Sequence, residues 1–163
     1  ALAASTTVLI ADEPISALDT SSQAQVANLL VDLVHEFKMG MVFISHDLSI
    51  VRRISDRVAV MYLGKIVEIG TTSQIWENPS HPYTRALVSA IPHADGASFM
   101  PSDLPGDVPN PMNPPSGCRF HPRCQLALPK CTTEEPQFVT LTDNREVSCF
   151  LQREGESPAS ITL

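Results

Sequence analysis

Two adjacent carboxylates near the start of the chain are the residues best suited to chemistry. Asp12 and Glu13 follow the apolar run Val8–Ala11, which predicts a short, fully buried strand of a parallel sheet. Open α/β sheets bind their ligands at the carboxyl ends of such strands. Asp12 could hold Mg²⁺ through the water shell of the ion, and Glu13 could orient the water that attacks a γ-phosphate. The plainer alternative is a buried strand followed by two solvated acids.

A helix and a second strand are predicted after these acids. Thr20 and Ser21 offer N-cap oxygens, and Lys38 and Gly40 suit the C-terminal end of the helix. Between them, six apolar residues repeat at the spacing of one helix face: Val26, Leu29, Leu30, Leu33, Val34 and Phe37. The apolar run 41–44 predicts a second buried parallel strand. The result is a right-handed βαβ unit, which brings the ends of both strands to one edge.

Three motifs in this region together resemble the second half of an ATP-binding cassette (ABC) ATPase. They are the strand ending in Asp12-Glu13, the following Pro-Ile-Ser-Ala-Leu-Asp ending at Asp19, and Ser-His-Asp at residues 45–47. The resemblance implies that Asp12 and Glu13 form a Walker B pair and that His46 contacts the γ-phosphate. It also implies that Asp19 is the acid that crosses to a second ATPase subunit. From the residues alone, His46 could instead cap the next helix, and Asp19 could be an N-cap, a role compatible with the other.

Further segments resemble the oligopeptide/dipeptide importer subfamily, over roughly residues 1–150. They are residues 58–62 and 64–68, Asn78-Pro79, His81-Pro82-Tyr83-Thr84 and a tail with four cysteines. The resemblance implies an ATP- and Mg²⁺-dependent ATPase that drives peptide uptake from the cytoplasmic face of the membrane. The implied partners are a second ATPase subunit, in a homo- or heterodimer, permease subunits and, indirectly, an extracytoplasmic solute-binding protein.

The implied fold is α/β, with two domains. A partial P-loop ABC ATPase domain, a parallel sheet with flanking helices, is expected over residues 1–92, and a Pro-rich, cysteine-containing extension over residues 93–163. Within the first domain, a hairpin is predicted over residues 57–69, followed by a short helix that buries Ile75 and Trp76. Another helix begins at Pro82. Its inward residues are predicted to be Leu87, Val88 and Ile91, and His81 is expected to be a structural cap with no metal partner nearby.

The Pro-rich segment is predicted to be extended, as a linker or as a strap over the ATPase body, and its apolar residues favour the strap. Six prolines between residues 101 and 115 exclude a helix or a central strand. Leu104, Val108 and Met112 are its predicted apolar anchors. From Gln152 to the C-terminus, the composition predicts disorder.

The four cysteines all follow the first prolines of this extension, at Cys118, Cys124, Cys131 and Cys149. Two disulfides suit a secreted module rather than a cytosolic ATPase. Structural zinc usually includes a close Cys-x2–4-Cys pair, which is missing, whereas a [4Fe–4S] cluster tolerates looser loops. Free thiols are the remaining alternative.

The segment Gly-Cys-Arg-Phe-His-Pro-Arg-Cys at residues 117–124 matches the pattern of subfamily members that carry such a cluster. The resemblance therefore favours iron–sulfur on all four cysteines, in a structural role, with zinc as the alternative. Arg119, Arg123 and Lys130 could offset the negative charge of a metal–thiolate site, or they could be solvated surface.

Composition narrows the functional classes. The net charge of −7 argues against a nucleic-acid surface, and no apolar run approaches membrane-spanning length. No segment resembles a signal peptide. The 163 residues contain no Gly-x4-Gly-Lys-Ser/Thr phosphate loop, and the chain begins in mid-pattern, so we expect a fragment that lacks ATPase activity by itself. The alternative functions are a metal-stabilised interaction module with a non-catalytic ATPase remnant and, more weakly, a cassette ATPase of translation or repair.

Overall fold

The computed structural model describes residues 6–91 and 104–159. They form a mixed α/β structure, as predicted, and the chain divides into two compact units, residues 1–56 and residues 57–163. The predicted domain boundary at residues 92–93 lies outside the described residues, so that boundary stays a prediction. In the described ranges, no helix combines the length and the apolar character needed to cross a bilayer.

The first unit contains the predicted βαβ arrangement. Strand β1 (Val8–Asp12) is followed by helix α1 (Thr20–Glu36), strand β2 (Gly40–Ile44) and helix α2 (Leu48–Ile54). The two strands pair in parallel, with Asp12 opposite Ile44 at their carboxyl ends. This pairing brings the residues that follow each strand to the same edge.

The prediction of fully buried strands is wrong for the described residues. Side chains alternate along both strands, and Val8, Ile10 and Val42 are at least half exposed, at 53, 69 and 50 %. A parallel sheet is buried on both faces only when both faces are covered, and the described residues of this unit leave one face open. The predicted apolar stripe of α1 is also incomplete, because Leu29 and Phe37 are exposed.

The ends of α1 differ from the prediction by a few residues. Asp19, rather than Thr20 or Ser21, is the N-cap. At the other end, Phe37 is the C-cap and Lys38 takes the left-handed conformation, with φ 52°. Gly40 is therefore not the cap but the first residue of β2.

The second unit is built on an antiparallel sheet. Strands β3 (Arg57–Tyr62) and β4 (Lys65–Thr71) form the predicted hairpin, and the short strands β5 (Val139–Thr140) and β6 (Glu146–Val147) extend it in the order β3-β4-β6-β5. Leu63 and Gly64 have φ values of 45° and 77°. Two successive residues at positive φ suit the tight turn that matches strand twist, which explains the glycine at this position.

Two short helices follow β4. Helix α3 (Thr72–Glu77) begins at a capping box between Thr71 and Gln74. It buries Ile75 fully and Trp76 partly, so the prediction of a core Trp holds only in part. Helix α4 (Pro82–Ser89) buries three residues, Pro82, Thr84 and Ala86. The predicted inward residues Leu87, Val88 and Ile91 are only half-buried. The fully buried side chains lie instead within the first five residues of the helix.

In the described part of the C-terminal extension, fewer apolar side chains are buried than predicted, and more of the residues after Gln152 are ordered. Val108 and Met112 are exposed, Met112 by 91 %, and only Leu104 is half-buried, so two of the three predicted anchors are wrong. Gln152 is buried and donates a hydrogen bond to the Ser80 carbonyl at 2.9 Å. Disorder from Gln152 onward is therefore also wrong as far as residue 159, and residues 160–163 lie outside the described range.

Candidate functional site

The βαβ unit brings Glu13 and His46 into direct contact. Glu13 continues the β1 pairing, because its backbone N–H donates to the Ile44 carbonyl at 2.9 Å. His46 follows β2 by two residues, and its Nδ1 lies 2.9 Å from Oε1 of Glu13. The carboxylate oxygen can only accept a hydrogen bond, so Nδ1 carries the proton. The sequence predicted that these two residues would lie side by side.

Glu13 is held in an unusual conformation. Its φ is 45°, in the left-handed region that residues other than glycine seldom occupy. The second carboxylate oxygen, Oε2, is buried and has no hydrogen-bond partner among the described residues. Strained backbone and unpaired buried oxygens both cost free energy, and they cluster at functional sites.

His46 responds electrostatically to this contact. Its hydrogen bond with Glu13, followed by the charge of that carboxylate, raises the pKa of His46 above its ordinary value of 6.5. The alternative role of His46 as a helix cap is wrong. Asp47 caps α2, accepting hydrogen bonds from the backbone N–H groups of Ser49 and Ile50.

We predict that Glu13→Gln returns the pKa of His46 toward 6.5. A raised folded-state pKa means that the contact stabilises the fold below pH 6.5 and that this stabilisation is lost as pH rises through the folded pKa. The measurement is the pH titration of the His46 imidazole protons by NMR. Asp47→Asn is the control and should move the pKa of His46 less, because the charge of Asp47 raises that pKa less than Glu13 does. An unchanged titration in Glu13→Gln would contradict the assignment.

The other two acids of the predicted ATPase site differ in their surroundings. Asp12 is exposed at the carboxyl end of β1. Asp19 accepts hydrogen bonds on both carboxylate oxygens, from the backbone and hydroxyl of Ser21 and of Ser22. These bonds hold the pKa of Asp19 well below its usual range, with the Ser21 hydroxyl contributing most. Asp19 is thus an N-cap, and its role toward a second subunit stays a prediction.

In the second unit, the four cysteines line one cavity of about 20 Å³, space for roughly one water molecule. All four are free thiols in the described chain, so neither disulfide of that alternative is formed. Among the described residues, no three His, Cys, Asp or Glu side chains are arranged to hold one metal ion. The geometry therefore confirms neither the predicted iron–sulfur cluster nor zinc, although it brings the predicted ligands together.

Backbone N–H groups lie near the cysteine sulfurs. Leu128 N–H donates to Cys131 Sγ at 3.4 Å. Backbone N–H groups also lower the pKa values of the other three thiols: those of Phe120 and His121 at Cys118, that of Leu126 at Cys124 and that of Leu151 at Cys149. Backbone N–H groups aimed at sulfur stabilise the negatively charged thiolate.

Burial works against those donors. It raises the pKa values of Cys118 and Cys124, and it raises the pKa of Cys149 to about 12. The mutual repulsion of the neighbouring thiolates adds to this effect at all three residues. Burial therefore favours the protonated form of Cys118, Cys124 and Cys149, whereas a metal-bound thiol is deprotonated.

The first cysteine loop is fixed by close backbone approach. Gly117 has φ 65°, and a Cβ at this position would lie 2.5 Å from the Cys131 carbonyl oxygen, so only glycine fits. The Cys118 N–H donates to the same carbonyl at 2.9 Å. These contacts hold the loop of Cys118 against that of Cys131.

The three cations near the cysteines each make a contact within this unit, although Lys130 is also exposed. Arg119 donates to the Leu63 carbonyl, Arg123 donates to the Pro105 carbonyl at 3.3 Å, and Lys130 lies 4.1 Å from the Phe150 ring centroid. These contacts hold the cations near the cysteine loops.

His81 caps α4 as predicted, but it has a neighbourhood that the sequence did not reveal. Its Nδ1 accepts a hydrogen bond from the Tyr83 N–H at 3.1 Å, and its ring lines the cysteine cavity together with His121. The sequence did not predict that His81 and the four cysteines line the same cavity. Burial lowers the pKa of His81 to about 3, so its ring is neutral.

A buried polar network supports this histidine, and sequence analysis missed it. The Glu68 carboxylate accepts hydrogen bonds from the Ser80 and His81 N–H groups at 2.7 and 2.9 Å. Arg145 lies 3.5 Å from Glu68 and 2.7 Å from Asp143, and it also donates to the Ser80 hydroxyl. The only signal was the Glu at position 68 within an otherwise apolar strand.

Part of the chain matches a known protein family, and most of the chain is similar in sequence to individual known proteins. Residues 67–131 match the family described as "Oligopeptide/dipeptide transporter, C-terminal region". The chain is 50 % identical to a probable peptide ABC transporter ATP-binding protein of Sinorhizobium fredii, over 93 % of this chain and 43 % of that protein. It is 51 % identical to a dipeptide transport ATP-binding protein of Haemophilus influenzae, over 88 % of this chain and 44 % of that one.

A third relative is an oligopeptide transport ATP-binding protein of Bacillus subtilis, 48 % identical over 88 % of this chain and 45 % of that protein. The chain thus spans less than half the length of these relatives. All three are ATP-binding proteins of transporters, so the alternative of a metal-stabilised module with a non-catalytic remnant finds no support in them.

Proposed function

We propose that this chain, whose residues 67–131 match the oligopeptide/dipeptide transporter C-terminal region, is the C-terminal part of the ATP-hydrolysing subunit of an ABC importer of peptides. The observation that carries the proposal is the contact between Glu13 and His46 at the ends of two parallel strands. Ligands of open α/β sheets bind at this edge. The transport names of the relatives support the peptide substrate class.

The proposed chemistry divides between three side chains. Glu13 Oε2, which is buried and unpaired, accepts the hydrogen bond of the attacking water and directs its oxygen toward the γ-phosphate. His46 donates from Nδ1 to Glu13, and this contact raises the pKa of His46 and so favours its protonated form, in which Nε2 can also donate to a γ-phosphate oxygen. Asp12 would hold Mg²⁺ through its water shell, which supplies charge neutralisation at the phosphates.

The open face of the first unit supports the same proposal. Val8, Ile10 and Val42 expose apolar side chains on one face of a parallel pair of strands. Parallel strands in globular proteins are covered on both faces. The remaining strands and helices of an ATPase domain, which includes the phosphate-binding loop in such enzymes, would cover these side chains.

The partners follow from the proposed reaction. The subunit would pair with a second ATPase subunit, with Asp19 near the shared interface, and would act on permease subunits from the cytoplasmic side of the membrane. A solute-binding protein would deliver peptides to the permease. No role in nucleic-acid binding is proposed.

The cysteine cavity is proposed to hold a [4Fe–4S] cluster on Cys118, Cys124, Cys131 and Cys149. All four cysteines line it, Cys131 Sγ accepts a hydrogen bond from Leu128 N–H, and backbone N–H groups favour the thiolate form of the other three, which suits thiolates bound to iron. Zinc is the weaker candidate, because a structural zinc site usually includes a close Cys-x2–4-Cys pair, which these four cysteines lack. The cluster would link the loops that carry the four cysteines to one another through iron–sulfur bonds.

We expect the chain, purified without oxygen, to contain about four irons and four sulfides. Cys149→Ser should lose most of this iron because it removes one ligand, whereas Met112→Leu, which removes an exposed sulfur, should retain it. The measurement is metal and sulfide analysis with a visible absorption spectrum. About one zinc and no iron per chain would contradict the cluster.

The test of transport is peptide uptake into membrane vesicles that contain the complete transporter. ATP inside a vesicle of the correct orientation should drive accumulation of a labelled dipeptide, and His46→Ala should abolish it. Replacement of the exposed His35 by Ala is the control, because it lies on α1 outside the site. Uptake of a labelled sugar but of no peptide would contradict the proposed substrate class.

A further inference from the structure

The peptide groups on both sides of Glu13 are held by hydrogen bonds. The Glu13 N–H donates to the Ile44 carbonyl at 2.9 Å, which fixes the preceding peptide group to β2. The Glu13 carbonyl accepts from the Ser16 N–H at 3.4 Å and from the Ser16 hydroxyl at 3.1 Å, which fixes the following peptide group. Because the orientations of these two planar groups define φ and ψ of Glu13, they also set the direction of its side chain.

The conformation of Glu13 requires such support. With φ 45°, Glu13 lies in the left-handed region, which costs free energy for a residue with a Cβ and persists only where the surrounding structure holds it. A serine hydroxyl that donates to a carbonyl three residues earlier is a common way to hold a turn of this kind. Ser16 therefore supports the backbone of Glu13 with its side chain as well as with its own N–H.

The turn that carries Ser16 is itself anchored within the first unit. Ile15 is 1 % exposed. Its carbonyl accepts hydrogen bonds from the Leu18 N–H at 3.1 Å and from the Gln23 side-chain amide at 3.3 Å. Because Gln23 belongs to α1, the helix holds the turn and the turn holds Ser16 next to the Glu13 carbonyl.

We propose that Ser16 is a positioning residue for ATP hydrolysis: its hydroxyl holds the Glu13 carbonyl and thereby keeps the Glu13 carboxylate against His46, with Oε2 directed to the attacking water. This inference rests on the proposed function, because it requires Glu13 to activate the water. Ser16 acts through Glu13 and is not itself a catalytic residue. Its contribution to the rate follows from the steep dependence of catalysis on the alignment of the reacting groups.

The test compares Ser16→Ala, which removes the hydroxyl and keeps the backbone N–H, with Ser16→Thr, which keeps both. Ser16 is exposed, so the added methyl group of Thr has room. Ser89→Ala is the matched control, because the Ser89 hydroxyl also donates to a carbonyl three residues earlier, that of Ala86 at 2.9 Å, but in α4 of the second unit. The measurements are kcat and nucleotide affinity of the complete subunit, and the pH titration of His46 in this chain by NMR.

Ser16→Ala should lower kcat about 2- to 10-fold, the range that corresponds to one hydrogen bond, and should leave nucleotide affinity unchanged. It should also move the pKa of His46 part of the way toward 6.5, because the contact with Glu13 raises that pKa. Ser16→Thr should restore both values, and Ser89→Ala should change neither.

A wild-type kcat together with a wild-type His46 titration in Ser16→Ala would overturn this inference alone. A lowered kcat with an unchanged His46 titration would also overturn it, because Ser16 would then act through a group other than Glu13. Hydrolysis at the wild-type rate in Glu13→Gln would overturn the proposed role of Glu13, and this inference with it.

Discussion

Replacing Glu13 by Gln is expected to slow ATP hydrolysis by the complete subunit about 10²- to 10⁴-fold, the range for removal of a general base. The amide keeps the size of the side chain and the hydrogen bond that His46 Nδ1 donates. It removes the negative charge that would draw a proton from the attacking water. ATP and Mg²⁺ binding should remain, because in the proposed site they depend on Asp12 and on the phosphate-binding loop.

The measurement is steady-state ATPase activity alongside nucleotide affinity. Glu36→Gln is the matched control, since Glu36 is an exposed carboxylate at the end of α1 and lies outside the site. It should leave the rate unchanged. Hydrolysis at the wild-type rate in Glu13→Gln would remove Glu13 from the proposed mechanism.

Arg145→Met is expected to reduce the free energy of unfolding of the second unit by about 3–5 kcal/mol, the cost of breaking a buried ion pair from one side. Glu68 is 0 % exposed and the side chain of Arg145 is 3 % exposed, so solvent screens their interaction weakly. Without Arg145, the Glu68 carboxylate keeps its two backbone donors but loses its cation. Chemical denaturation measures the loss.

The pH dependence identifies the cause. Burial raises the pKa of Glu68 above its ordinary 4.5, and Arg145 is one of the groups that oppose this rise. A carboxyl group with a raised folded-state pKa contributes most stability below pH 4.5 and loses it as pH rises through the folded pKa. The difference between Arg145→Met and wild type should therefore be smaller at acidic than at neutral pH.

Arg153→Met is the control for this prediction. Arg153 has an exposed side chain and lies 3.7 Å from the exposed Glu156, and such surface pairs contribute about 1 kcal/mol or less. If Arg145→Met destabilised the unit no more than Arg153→Met does, the buried network would not hold the Ser80–His81 loop as inferred.

Sequence patterns predicted the features that depend on local order. The apolar run before Asp12, the helix after Asp19 and the run before His46 define a βαβ unit, and its parallel pairing brings Glu13 to His46. Gly64 likewise marked the hairpin turn. These predictions succeed because chain direction and strand pairing follow from residue spacing over short distances.

Features that depend on contacts between distant segments were not predictable in this way. The spacing of the four cysteines does not by itself predict that Cys118, Cys124, Cys131 and Cys149 line one cavity. No local sequence pattern predicts the ion pair between Glu68 and Arg145. Burial was also misjudged at Ile10, because an apolar strand looks the same whether its covering layer is present or not. Packing partners, rather than periodicity, decide these cases.

The most direct test of the proposed ATPase site is the identity of the nucleotide retained by the complete subunit after incubation with Mg²⁺ and ATP. The site described here predicts that Glu13→Gln retains unhydrolysed ATP, whereas wild-type protein releases ADP and phosphate. Retention of ADP by Glu13→Gln, in an amount equal to that formed by wild type, would show that the water is activated elsewhere and would contradict the role of Glu13.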